Sequence, residues 1–136
     1  MKYVLIMNSP RDGYTQYMSW PKKILEANMA FMHTFTKKLS DAGELVGTWG
    51  LASPLQATRV RAGKDGKPVT DGVFPESKEF LAGFWLVDVD SPERALQIAA
   101  EASTAPGAAV TAADGTPIDH LWIEVREVMG SHEGMK

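Results

Sequence analysis

Cysteine is absent from the 136-residue chain. That excludes disulfides, thiolate zinc sites, iron–sulfur clusters and a cysteine nucleophile together. Histidine is scarce: His33, His120 and His132 are scattered, and no two stand at the i, i+4 spacing of a helical zinc pair. Asp119-His120 opens a predicted strand, where adjacent side chains point to opposite faces, and His132 lies in the tail. No metal site and no cofactor are expected. Long apolar runs are also missing. The first, Tyr3 to Met7, has the length of a strand, short of the roughly 7–15 residues of a signal-peptide core and of the roughly 20 needed to span a bilayer. The expectation is a cytoplasmic protein with no membrane contact. There is no excess of basic charge, the formal net charge being −3, so a sequence-independent nucleic-acid partner is not expected. The small basic group Arg59, Arg61, Lys64 and Lys67 is accounted for by surface solvation. No GxSxG, P-loop or GxGxxG run occurs, which removes serine-hydrolase elbows and the common nucleotide-phosphate cradles.

What is present suits one globular domain. The chain is 44% hydrophobic and 23% charged, and at this length about two thirds of the unfolded surface can be buried. Tyr3-Val4-Leu5-Ile6-Met7 predicts a buried strand that ends at the turn-rich Asn8–Gly13 segment. A loop through Tyr14, Tyr17 and Trp20 follows, and its aromatic content predicts that it folds back on the body. Pro21 opens a helix: Leu25, Met32, Phe35, Leu39 and Ala42 share one face, widened by Ile24 and Phe31, and Gly43 supplies a left-handed stop. Glu44–Leu51 reads as a strand carrying two glycines. Ala57–Ala62 and Pro68–Thr70 flank Lys64-Asp65-Gly66-Lys67 as a hairpin whose second arm, begun by proline, is an edge.

Phe80–Val89 is apolar almost throughout, as a central strand requires. Ser91 at the N-cap and Pro92 at N1 start a second helix with the small-residue face Ala95, Ile98, Ala99 and Ala102. Residues 104–119 read as a long loop, and Leu121–Val128 as the last strand. With the hairpin set aside the order is βαββαβ, an α+β ferredoxin-like subunit with its helices on one face of a mainly antiparallel sheet. The other face has no cover, yet its strands bring Trp49, Phe84 or Trp85, and Trp122 or Ile123. A monomer rarely exposes so large an apolar patch, so homodimerisation through the sheet faces is expected.

Three runs carry a resemblance. Met1-Lys2-Tyr3-Val4-Leu5-Ile6, Gly43-Glu44-Leu45-Val46-Gly47 and Asp71-Gly72-Val73-Phe74-Pro75-Glu76-Ser77-Lys78-Glu79 resemble the YCII-related family in its DGPF branch. Leu81–Val89, Ser91–Leu96 and Ile123-Glu124-Val125-Arg126 continue the pattern. Val73 and Glu127 stand where the family usually has proline, differences of conformation more than of chemistry. The resemblance implies a domain over residues 1–129 followed by a polar tail, 130–136, and a dimeric α/β barrel built from ferredoxin-like subunits. It also implies a small-molecule pocket between sheet and helices, and a histidine–aspartate pair that would here be His33 and Asp71. Many relatives are encoded beside extracytoplasmic-function sigma factors.

Each candidate has two readings. His33 borders the apolar stripe of its helix, so it is either a proton donor and acceptor near neutral pH or a boundary histidine bonded to a backbone carbonyl. Asp71 before Gly72 is a turn former, or a group that fixes the His33 tautomer. Ser77 and Lys78 belong to a charged run that is either a solvated face or a holder of an anionic or carbonyl oxygen. Two functions from different classes follow. One is a cofactor-free enzyme in which His33 acts as general acid/base and Asp71 orients it. The other is a non-catalytic ligand-sensing or protein-interaction module linked to sigma-factor regulation.

Overall fold

Four strands form the body of the protein, in the order β2-β5-β1-β8, every neighbouring pair antiparallel. They are β1 (Lys2–Ser9), β2 (Leu45–Gly50), β5 (Phe80–Asp88) and β8 (Ile123–Glu127). The computed structural model describes residues 1–72, 79–107, 110–111, 115, 117–118 and 122–130. The helices are α1 (Gly13–Met18), α2 (Lys22–Asp41) and α3 (Pro92–Ala102). Arg59–Ala62 (β3) and Pro68–Asp71 (β4) make a separate hairpin, and Val110–Thr111 (β6) pairs with Pro117–Ile118 (β7). This is the expected ferredoxin-like α+β arrangement with its inserted hairpin.

Side-chain alternation explains the layers. Tyr3 and Leu5 of β1, with Trp85 and Val87 of β5, are buried against Phe35 and Leu39 of α2 and Ala95, Ile98, Ala99 and Ala102 of α3. Phe35 meets Trp85 edge-on at a centroid distance of 5.6 Å, a geometry that suits the ring quadrupoles. Small residues on α3 let that helix approach the sheet closely. Ser91 caps it, its Oγ accepting the Arg94 N–H at 3.2 Å. Gly43, with φ of 73°, ends α2 as expected. Arg94 then clamps the entry to β2: its Nε and Nη2 donate to Glu44 at 2.9 and 2.8 Å. That fork holds the Glu44 carboxyl below the usual carboxylate range, the hydrogen bonds outweighing the opposing effect of burial.

Among the described residues no helix covers the opposite face of the sheet. Its registers place Trp49, Phe84, Ile6 and Glu124 side by side, and Gly47, Leu86, Val4 and Arg126 in the next row. Of the pairs left open by the sequence, Phe84 lies on this face and Trp85 in the core. Ile123 packs against the core, while Trp122 borders a groove between α3 and β8. A register shift between Leu45 and Gly47 turns Trp49 to the open face although Leu45, of the same parity, faces the helices.

Two segments differ from expectation. The stretch through Tyr14 and Tyr17 is helical and not a loop, because Gly13 N–H bonds Pro10 O at 2.9 Å and starts a turn that Gln16 continues onto Asp12 O. Residues 104–119 are not wholly loop, since they contain the short β6–β7 ladder.

Candidate functional site

A concavity lies where β1 runs out into α1. A cavity of about 260 Å³ is walled by Met7, Asn8, Ser9 and Pro10 of the β1 end, Tyr14 and Tyr17 of α1, Trp20, the Leu51–Pro54 segment after β2, and Ala82 of β5. Three local features build it. In the β1–β5 ladder Met7 pairs with Gly83 but Asn8 with Leu81, so Ala82 is the extra residue of a bulge. Its carbonyl takes the Leu51 N–H at 2.7 Å, tying the segment after β2 to the rim. Gly13 permits α1 to sit tight on β1: a Cβ there would lie 2.8 Å from the Ser9 Cβ.

The aromatic wall is fixed from behind. Tyr17 and Trp20 touch with ring centroids 5.0 Å apart and planes tilted by 57°. The benzo edge of Trp20 lies over Gly107, where an added Cβ would come within 2.5 Å of its Cη2. The strand of chain that carries Gly107 is itself held by Asn28, a buried polar residue of α2 whose Nδ2 donates to Pro106 O at 2.8 Å. The aromatic segment therefore folds back on the body, as its composition predicts. Sequence reasoning picked out Tyr14, Tyr17 and Trp20 but missed their partners. Asn28 interrupts an apolar helix face, and that was the available signal.

Among the described residues, all the side chains lining the cavity are uncharged. The Ser53 hydroxyl accepts the Leu55 N–H at 3.2 Å. The Asn8 amide and the Ser9 hydroxyl have no hydrogen-bond partner among the described residues. The described residues offer the site stacking surface and neutral hydrogen bonds. No helix among the described residues is long and apolar enough to cross a membrane. No cluster of metal-ligating side chains occurs among them.

The residues singled out from sequence lie elsewhere. His33 is exposed on α2. Asp71 ends β4 with its side chain 80% exposed, paired to Arg59 Nη2 at 3.2 Å and accepting the Gly72 N–H at 2.8 Å. Arg59 Nε also donates to Gly72 O, so Asp71 and Arg59 close the base of the β3–β4 hairpin. No hydrogen bond or ion pair joins His33 to Asp71 among the described residues, and neither lines the cavity. Ser77, Lys78, His120 and His132 lie outside the described residues, as does the tail from 131 to 136.

A ferredoxin-like α+β chain with a neutral aromatic cavity at one end of its sheet is thus the class defined by the geometry. Residues 1–114 match the model of the YCII-related domain, and the chain belongs to the YCII-related family. Over 87 residues it is 33% identical to an uncharacterised protein of Rhizobium meliloti (strain 1021), an alignment that covers 64% of this chain and 70% of that protein.

Proposed function

We propose that this YCII-related protein binds a small molecule in the cavity between the β1 end, α1 and the segment after β2. The observation that carries the reading is the convergence of Tyr14, Tyr17 and Trp20 with the polar groups of Asn8 and Ser9, unpartnered among the described residues, around one cavity. A mostly apolar concavity with a few placed polar groups is the usual form of a ligand site. The working unit we propose is a homodimer joined through the open sheet face, supported by the adjacent rows of Trp49, Phe84 and Ile6 and of Leu86 and Val4. Glu124 and Arg126 at the β8 margin bring opposite charges to the same face, so a two-fold pairing can match them.

For turnover, as opposed to binding, the proposed acid/base pair is His33 with Asp71, and Ser77 and Lys78 are the proposed oxygen holders. The non-catalytic module is the alternative. A fragment set of mixed charge, followed in 1H–15N correlation spectra, separates these readings. Shifts at Asn8, Gly13, Tyr17 and Ala82 are expected. Shifts centred on His33 and Asp71 instead would move the site to that pair. An absence of localised shifts with every fragment would overturn the binding reading and leave the interaction module.

A further inference from the structure

We infer that the cavity is selective for an uncharged, planar aromatic molecule that carries one amide-like group. This rests on the cavity being the ligand site, and adds the chemical class. No lining side chain among the described residues is charged, so a carboxylate or ammonium entering the cavity would lose hydration without gaining a counter-charge from them. The aromatic walls attract cations in general, but no carboxylate among the described residues lines this site to complete such a cage.

Tyr17 and Trp20 already form a tilted pair at 5.0 Å, and a third ring fits such a wall in offset or edge-on contact at roughly 4.5–7 Å between centroids. The backing of Trp20 by Gly107 holds that wall in place. Asn8 offers a donor and an acceptor on one planar group, and neither is used by the described residues. A primary or secondary amide on the ligand pairs with both at once, whereas a lone carbonyl or hydroxyl uses one.

Benzamide, benzoate, benzylamine and ethylbenzene are matched probes of similar size, differing in charge and in the amide. Calorimetric titration at about pH 7 is expected to give benzamide a dissociation constant at least tenfold below those of benzoate and benzylammonium. Asn8→Leu should weaken benzamide about three- to tenfold, the loss of one or two neutral hydrogen bonds, and leave ethylbenzene unchanged. A charged probe binding as tightly as benzamide overturns the selectivity while the cavity remains the site. Equal loss of benzamide and ethylbenzene in Asn8→Leu overturns the role of the amide. If none of the probes binds, the inference fails, and the mixed-charge fragment spectra then decide the underlying reading independently. Should Asn8→Leu not fold, the charge comparison on the unaltered protein decides the inference alone.

Discussion

Gly107→Ala tests whether the aromatic wall is held from behind. The alanine Cβ would lie 2.5 Å from Trp20 Cη2, 3.0 Å from Cζ3 and 3.2 Å from Cζ2. Ordinary carbon contacts are about 3.5–4.0 Å, so the ring or the chain must shift by roughly 1 Å. The chain has little freedom to move, because Asn28 grips the neighbouring Pro106 carbonyl. The ring is limited by Tyr17. Gly107 does not occupy the left-handed region, so alanine adds no backbone strain there. Overpacking of this kind costs about 1–3 kcal/mol, and a half-exposed ring that can partly swing away belongs near the lower end. For a chain of this length that corresponds to a fall in Tm of roughly 3–6 °C. The control is Gly50→Ala, whose Cβ meets nothing within 4 Å and which should stay within about 0.5 kcal/mol of the parent. Thermal unfolding gives the stability, and the Trp20 indole resonance reports the ring. An unmoved indole resonance, with a Tm equal to that of Gly50→Ala, would refute the account of how the wall is fixed.

Further outcomes follow from the rest of the fold. Ile98→Ala, at a fully buried core position, should cost about 2–5 kcal/mol in denaturant unfolding, and a cost under 1 kcal/mol would contradict the placement of α3 on the sheet. Arg94→Ala should cost about 1–2 kcal/mol near neutral pH, as a partly exposed forked pair between the surface and buried extremes. Because the folded Glu44 carboxyl titrates below its ordinary value, the stabilisation is fully present above the ordinary carboxylate range and disappears as pH falls through the lowered folded value. The parent and Arg94→Ala stability curves should therefore converge on acidification, and curves that stay parallel would exclude the linkage. Phe84→Glu, which introduces a charge in the middle of the open face, should convert a sheet-face dimer into a folded monomer by analytical ultracentrifugation. A parent protein already monomeric at micromolar concentration would contradict the dimer. His33→Ala should leave probe binding in the cavity unchanged, because His33 does not line it. Loss of that binding would tie the helix surface to the site after all.

The sequence carried the long elements because their patterns repeat. The stripe of α2 and the small-residue face of α3 each recur over several turns, and Ser91-Pro92 marks a helix start by chemistry that has few other uses. The hairpin was legible from Asp65-Gly66, and Gly66 indeed takes a φ of 80°. Less could be read where one element was short or where two residues fitted the same role. The α1 helix spans six residues, too few for a period to declare itself. The continuous apolar run of β5 gives Phe84 and Trp85 equal claim to the core. Only the register with β1, which sets Leu5 opposite Trp85 and Ile6 opposite Phe84, decides which faces the helices.

The candidate site was visible in part. Tyr14, Tyr17 and Trp20 cluster in sequence, but the Leu51–Pro54 wall, Ala82 and the Gly107 support arrive from distant segments. No local pattern links residues brought together by sheet pairing. The emphasis on His33 came from a family resemblance, and its position on the exposed side of α2 was not fixed by its place beside the stripe.

The central claim is that the neutral aromatic cavity is where this protein holds its ligand. A crystal structure of the protein soaked with benzamide tests it most directly. The account predicts a ring in contact with Tyr17 and Trp20, with the amide bonded to the Asn8 side chain. Density for the probe against His33 or on the open sheet face, with the cavity left unfilled, would contradict it.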